Sequence, residues 1–247
     1  MVEMLKEKEY FIHYYNTNYK LKLSIISLMQ FFEDIALLQS EEREVGLNYY
    51  KENNIAWVLH QVEIRIKEYP KYKDKVVVRT FPTSYLRFYA HRAFEVFNES
   101  DDIVISADSI WIFLDTTTKK PKTVTDDMYA AYCITPGKNE LKKLAEVKQL
   151  SDVNYEQEFT VRWSDIDTNN HVNNVKYAIW ALETMPIDIL NEKDIELIRI
   201  VYKKEIKYGS SVKSKVQIIT EQEKTVSLHS IVGDDEKIAC LIEIHWI

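Results

Sequence analysis

Glycine is nearly missing from this 247-residue chain, where only Gly46, Gly137, Gly209 and Gly233 occur. No two of them have the spacing of a dinucleotide fingerprint, a phosphate-cradling loop or a G-x-S-x-G nucleophile elbow, so those motifs are excluded. Cysteine is as scarce. Cys133 and Cys240 form no C-x-x-C pair, which argues against a zinc ribbon, a dithiol redox centre or a disulfide framework. His13, His60, His91, His171, His229 and His245 include no pair three or four residues apart, so there is no zincin-type helix. No apolar run approaches the roughly 20 residues of a membrane span. The N-terminal MVEMLKEKEYFIHYY lacks the basic-then-apolar order of a signal peptide. Positive charge is in deficit as well. Lys and Arg number 32 against 39 Asp and Glu, a net charge of −7, which sets the whole molecule against nucleic acid or anionic membrane and leaves room for a local basic patch. The expectation is a soluble, cytoplasmic protein in a reducing compartment.

The chain does have core-forming residues, at 46% hydrophobic and 29% charged. Their order is strand, long helix, several strands, and then the same again. Ile25, Leu28, Met29, Phe32, Ile35 and Ala36 recur at helical spacing and predict a helix from about Ser24 to Val45 that Gly46 closes. Runs rich in β-branched and aromatic residues predict strands at Ile55–Ile66, Lys75–Phe81, Tyr85–Phe97 and Ile103–Leu114. Residues 135–152 read as a charged connector carrying one short surface helix. The scheme restarts with a strand at Phe159–Trp163. A helix capped by Asn173 or Asn174 follows, running to about Thr184, and then strands at Ile195–Ile206, Lys213–Gln222, Thr225–Val232 and Lys237–Trp246. Phe11–Tyr15 opens the first half much as Phe159–Trp163 opens the second, and Tyr69-Pro70 echoes Tyr208-Gly209. An antiparallel sheet needs a cover for its apolar face, and a long helix supplies one. The fold class is therefore α+β, a hotdog layout doubled in tandem: residues 1–134, the connector 135–152, and 153–247.

Polar chemistry concentrates in W-S-D-I-D-T-N-N-H-V-N-N, Trp163 to Asn174, between a strand and a helix start. Unpaired N–H groups at a helix N-terminus suit a developing oxyanion, and Val172–Asn174 are candidates to supply them. Asp167, Asn169 and His171 alternate, so they share a side if the segment is extended. Plainer roles stand beside these: Asn173 and Asn174 as caps, Asp165 as a chain-turning residue, His171 as structural. A metal site from Asp165, Asp167 and His171 lacks further clustered ligands.

The stretch R-W-S-D-I-D-T-N-N-H-V-N-N-V-K-Y, Arg162 to Tyr177, closely resembles the signature of acyl-acyl carrier protein (acyl-ACP) thioesterases, the plant plastid enzymes and their bacterial relatives. Trp57-Val58-Leu59 through Tyr69–Asp74, and Ser109-Ile110-Trp111 with Thr118-Lys119-Lys120, are similar to further stretches of the family. The resemblance implies a double hotdog that hydrolyses the thioester between a fatty acyl chain and its carrier protein. It implies the catalytic set Asp167, Asn169, His171 and Glu205, acyl carrier protein as partner, no metal, and no cofactor beyond the phosphopantetheine arm the substrate brings. It leaves a homodimer open. Family members often carry a cysteine just after the glutamate; here that residue is Ile206, which removes a cysteine nucleophile and leaves water, activated by Glu205, or Glu205 itself attacking. From the residues alone, Glu205 reads equally as a strand carboxylate paired with Lys203, Lys204 or Lys207. If Phe11 aligns with Phe159, the first half places Tyr19, Leu21 and Leu23 at the catalytic positions, so that half is expected to be catalytically empty and to receive the acyl tail. Lys71, Lys73 and Lys75, or Lys138, Lys142 and Lys143, are candidate contacts for the acidic carrier. A hotdog acyl-CoA thioesterase and a noncatalytic acyl- or carrier-binding module are the competing readings. A hydratase fits poorly, since Ile166 and Asn170 replace the glycine and proline of its D-x-N-P-x-H signature.

Overall fold

Ser24 starts the longest helix for a local reason. Its Oγ accepts the Ser27 N–H at 3.1 Å, satisfying one of the donors a helix start leaves unpaired. In the computed structural model, which describes residues 5–137, 142–222 and 224–247, helix α1 then runs over Ile25–Glu42. It ends earlier than the spacing predicts, because Glu44 turns into the left-handed region at φ 59°. Gly46 does not close α1; it precedes a second short helix, α2 (Leu47–Glu52). The Glu41 carboxylate folds back to accept the Leu47 N–H at 2.8 Å and fills the space a side chain at Gly46 would need.

The chain divides into two compact units, Met1–Val62 with Ile66–Leu144, and Glu63–Arg65 with Ala145–Ile247. Unit 1 has β1 (Lys6–Phe11), β2 (Ile55–Ile66), β3 (Lys75–Leu86), β4 (Tyr89–Phe97) and β5 (Ile103–Asp115), in the order β1-β3-β4-β5-β2. A two-residue β6 (Lys120–Pro121) pairs with β5, and α3 (Asp126–Ala131) follows. The helix buries Leu28, Met29, Phe31, Phe32 and Ile35, with Phe32 stacked on Phe94 of β4. The buried Arg92 guanidinium has partners in this interior: it donates to Gln39 Oε1 at 2.6 Å and Thr80 Oγ1 at 3.1 Å. The hairpin between β3 and β4 turns at Arg87 (φ 55°), so Tyr85 belongs to β3 and not to the next strand. Pro82 is tolerated inside β3 because the register shifts between Pro82 and Ser84, where its missing N–H costs no ladder bond.

Unit 2 repeats the plan with β7 (Tyr155–Thr160), α4 (Asn174–Glu183), α5 (Ile187–Glu192), β8 (Ile195–Tyr202), β9 (Ser211–Glu221), β10 (Lys224–Gly233) and β11 (Ile238–Trp246). The strand order is β8-β11-β10-β9-β7. Asn173 caps α4, its Oδ1 accepting the Val175 N–H at 2.9 Å. Each unit is thus a helix laid on an antiparallel sheet, and the two together make the double hotdog predicted from the residue pattern. No helix among the described residues is long and apolar enough to cross a membrane.

Four local expectations need correction. Phe11–Tyr15 and Phe159–Trp163 are not strands along their length: β1 ends at Phe11 and β7 at Thr160, and Tyr14–Asn16 and Trp163–Asp165 are 3-10 turns. Both turns close because the side chain of their third residue reaches back to a backbone N–H, Asn16 to His13 and Asp165 to Arg162. Residues 142–150 hold no helix. Strand β8 stops at Tyr202, so Lys203–Lys207 form a loop. Among the proposed carrier contacts, Lys138 lies outside the described residues, Lys142 is paired with Asp108 at 2.5 Å, and Lys75 with Glu9 at 3.5 Å.

Candidate functional site

Asp167, Asn169 and His171 come together in a closed turn, not in an extended segment. The Asp167 N–H donates to His171 O at 2.8 Å, Asn170 adopts φ 62°, and Ile166 bridges Val172. Asparagine is among the residues that tolerate this left-handed conformation. The Asp167 carboxylate organises the turn from inside. Its Oδ1 accepts the backbone N–H groups of Asn169 at 2.8 Å and His171 at 3.2 Å, and its Oδ2 accepts Asn169 Nδ2 at 3.3 Å. Glu205 arrives from the loop after β8. Its Oε2 lies 2.9 Å from His171 Nε2. Of the lysines Lys203, Lys204 and Lys207 in the alternative reading, Lys204 pairs with Asp235, and the Glu205 carboxylate meets His171.

The Glu205 loop is fastened to the turn and the helix start. The Val172 N–H donates to Ile206 O at 3.0 Å. Tyr202 Oη donates to Asn174 O at 3.1 Å, and Tyr177 Oη lies 3.4 Å from Lys204 O. Tyr177 is buried, and burial first, then Cys240, Glu205 and Asp167 nearby, pushes its phenol well up. Sequence reasoning gave Tyr177 no task, although it closes the quoted motif. Two of the expected oxyanion donors are spent: Val172 on Ile206, and Asn173 on Asp165 O at 2.9 Å.

Asp165 is a buried brace. Its side chain is 0% exposed and accepts the Arg162 N–H at 2.8 Å, the Arg162 guanidinium at 3.1 and 3.2 Å, and Lys176 Nζ at 3.2 Å. Burial works to raise its carboxyl, but Arg162 and then Lys176 outweigh burial and hold it below the usual range. The two cysteines are elsewhere in character: Cys133 is exposed in unit 1, and Cys240 is buried in β11 with its thiol pushed well up by burial.

Unit 1 contains the same backbone frame. Thr17 bridges Leu23 as Ile166 bridges Val172, and Leu21 (φ 56°) stands where Asn170 stands. Asn18 Oδ1 accepts the N–H groups of Lys20 at 2.9 Å and Lys22 at 3.1 Å, reproducing the role of Asp167. The Leu23 N–H donates to Pro70 O at 2.7 Å as Val172 does to Ile206. Lys67 and Glu68 share Val104 O as Lys203 and Lys204 share Ala239 O, and Lys73 (φ 78°) matches Gly209 (φ 77°). The positions equivalent to Asp167, Asn169, His171 and Glu205 are therefore Asn18, Lys20, Lys22 and Tyr69. Tyr19, Leu21 and Leu23, expected from aligning Phe11 with Phe159, are one residue out of register. Likewise Tyr69-Pro70 echoes Glu205-Ile206, not Tyr208-Gly209. Where unit 2 has a histidine facing a carboxylate, unit 1 has Lys22 Nζ over the Tyr69 ring, 5.5 Å from its centroid.

The comparisons agree with this doubled plan. Residues 3–132 match the acyl-ACP thioesterase N-terminal domain, and residues 148–247 match the C-terminal domain of the same family. An oleoyl-acyl carrier protein thioesterase of Coriandrum sativum is 27% identical over 202 residues, which cover 77% of this chain and 54% of that protein. The chain spans about half the length of the curated relatives it matches. A Lactobacillus plantarum structure assigned as an oleoyl thioesterase superposes with TM-score 0.93 at 23% identity, covering 98% of this chain and 95% of the other. The 12:0-ACP thioesterase of Umbellularia californica gives 0.85 at 21% identity, covering 99% and 94%. With both of its halves matched in order, the chain belongs to the acyl-ACP thioesterase family.

Proposed function

We propose that this protein hydrolyses fatty acyl-ACP to free fatty acid and holo-carrier, using Asp167, Asn169, His171 and Glu205. The observation that carries the reading is the 2.9 Å approach of His171 to Glu205, beside a turn that Asp167 holds closed, in a chain of this family. Glu205 takes a proton from water as the water oxygen bonds to the thioester carbon. Collapse of the tetrahedral intermediate breaks the carbon–sulfur bond, and the thiolate takes up the proton. Direct attack by the Glu205 carboxylate is the variant of this chemistry, with water then cleaving the resulting anhydride. His171 holds Glu205 in orientation. Asp167 accepts one N–H of the Asn169 amide, which leaves the second for the thioester oxygen.

Residues 153–247 then carry the thioester chemistry and residues 1–134 bind the acyl tail, joined by 135–152. Unit 1 supports that division by carrying Asn18, Lys20, Lys22 and Tyr69 at the four positions. Chain-length selection then follows apolar burial at about 0.8 kcal/mol per methylene. Around the catalytic turn the exposed residues Trp163, Lys203, Lys207 and Tyr208 form a basic and aromatic rim suited to an acidic carrier.

The test is thiol release from matched acyl-ACP and acyl-CoA over a range of chain lengths. Faster release from acyl-ACP is expected. A preference for acyl-CoA would keep the chemistry and change the partner; no release from either would leave a binding module.

A further inference from the structure

The pairing of the two frames shows what unit 1 lost and what it kept. All four polar groups assigned to catalysis are replaced. The rim is not. Tyr14, Lys67, Lys71 and Tyr72 occupy the positions of Trp163, Lys203, Lys207 and Tyr208, each exposed, and each an aromatic for an aromatic or a lysine for a lysine. Tyr14 and Tyr72 meet edge to face with centroids 6.2 Å apart.

Unit 1 then adds to this rim. Lys20, Lys22 and Lys73 stand where unit 2 has Asn169, His171 and Gly209. The loop's acid Asp74 is turned onto the chain, accepting the Lys71 N–H at 2.7 Å, so Glu68 is the carboxylate left among these loop residues. Tyr15, Tyr19 and Leu21 are 76%, 66% and 45% exposed beside them. Leu21 is the telling residue. A leucine at φ 56° is strained, and unit 2 fills the same position with Asn170, which tolerates it. Keeping an exposed leucine at a strained loop tip has no benefit for folding, and it gives a partner an apolar contact ringed by positive charge.

We propose that the Asn18–Leu23 turn and the Lys67–Lys73 loop of unit 1 form a second, noncatalytic binding site for the acidic carrier protein. It rests on the acyl-ACP reading above. The rim that serves the catalytic turn is retained, and lysines have taken the places of Asn169 and His171. A carrier, acidic with apolar side chains between its carboxylates, matches both the charge and Leu21.

The experiment is calorimetric titration of the full chain with holo-carrier, which binds without turnover. Two carriers per chain are expected, both weakened by salt. Lys22→Glu with Lys71→Glu should leave one. Leu21→Asn provides the control for folding: it should raise Tm while weakening the second site at least about tenfold, whereas a purely structural role would raise Tm and leave binding alone. A single carrier on the wild-type chain, or two that persist in both variants, overturns the proposal. So does capture of anionic phosphatidylglycerol vesicles by this patch with no second carrier bound, which would make it lipid-facing. Thiol release with only one bound carrier removes this proposal alone. Absence of both release and binding removes the acyl-ACP reading itself.

Discussion

Asp165 and Tyr177 act through the residues they hold. Asp165 joins the 3-10 turn to Lys176 on the first turn of α4, so Asp165→Asn should lower stability by about 1–3 kcal/mol in chemical unfolding. The pH dependence has a definite sign. The folded carboxyl titrates below its usual value, so its stabilisation is present above about pH 4 and is lost as pH falls through the lower folded value. The asparagine variant should lose that part of the acid limb. Tyr177 packs against Tyr202 and sets its hydroxyl beside the peptide that carries Glu205. Tyr177→Phe should reduce kcat roughly tenfold with KM unchanged, because a small displacement of Glu205 affects the reacting geometry more than substrate binding. A parallel rise in KM would assign Tyr177 to the binding of substrate instead.

At the scale of elements, the long strands and both main helices were legible because their burial follows simple periods. Ile55–Ile66 is a strand as predicted, and α4 begins after Asn173 because its side chain caps the helix. Asn173→Ala should cost about 1 kcal/mol, read as a shift in unfolding midpoint. What misled was local side-chain bonding. Phe11–Tyr15 has the composition of a strand, yet the Asn16 side chain bonds the His13 N–H and closes a turn. The alternation of Asp167, Asn169 and His171 suggested one face of an extended segment, yet the Asp167 carboxylate collects the N–H groups of Asn169 and His171 into a turn. Inside β10, His229 is fully buried with Nε2 2.8 Å from Ser227 Oγ, and burial lowers its pKa to about 3. The folded state keeps it neutral while the unfolded chain protonates near 6.5, so stability should erode as pH falls from about 6.5 toward 3. His229→Gln should flatten that window in pH-dependent unfolding; an unchanged slope would show that other groups govern it.

For the whole molecule, the doubling was visible in the repeated order of elements, but its register was not. Matching Phe11 to Phe159 by residue type missed the frame by one position, and only the hydrogen bonds of Asn18 and Asp167 fix it. The pairing of His171 with Glu205 has no local signal either, since the two are distant in sequence and meet only because β8 ends at Tyr202 and the Val172 N–H bonds Ile206 O. The family resemblance named Glu205, and the fold sets its carboxylate 2.9 Å from His171 Nε2. Cys133→Ser and Cys240→Ser should leave turnover per folded molecule unchanged, because Ile206 holds the position after Glu205 and burial keeps the Cys240 thiol protonated. The most direct test of the central claim is the rate of thiol release from acyl-ACP by the wild-type chain, Glu205→Ala and His171→Ala, each checked for an unchanged Tm. Both variants are expected to fall at least about 100-fold. Folded variants that release thiol at near wild-type rates would contradict it.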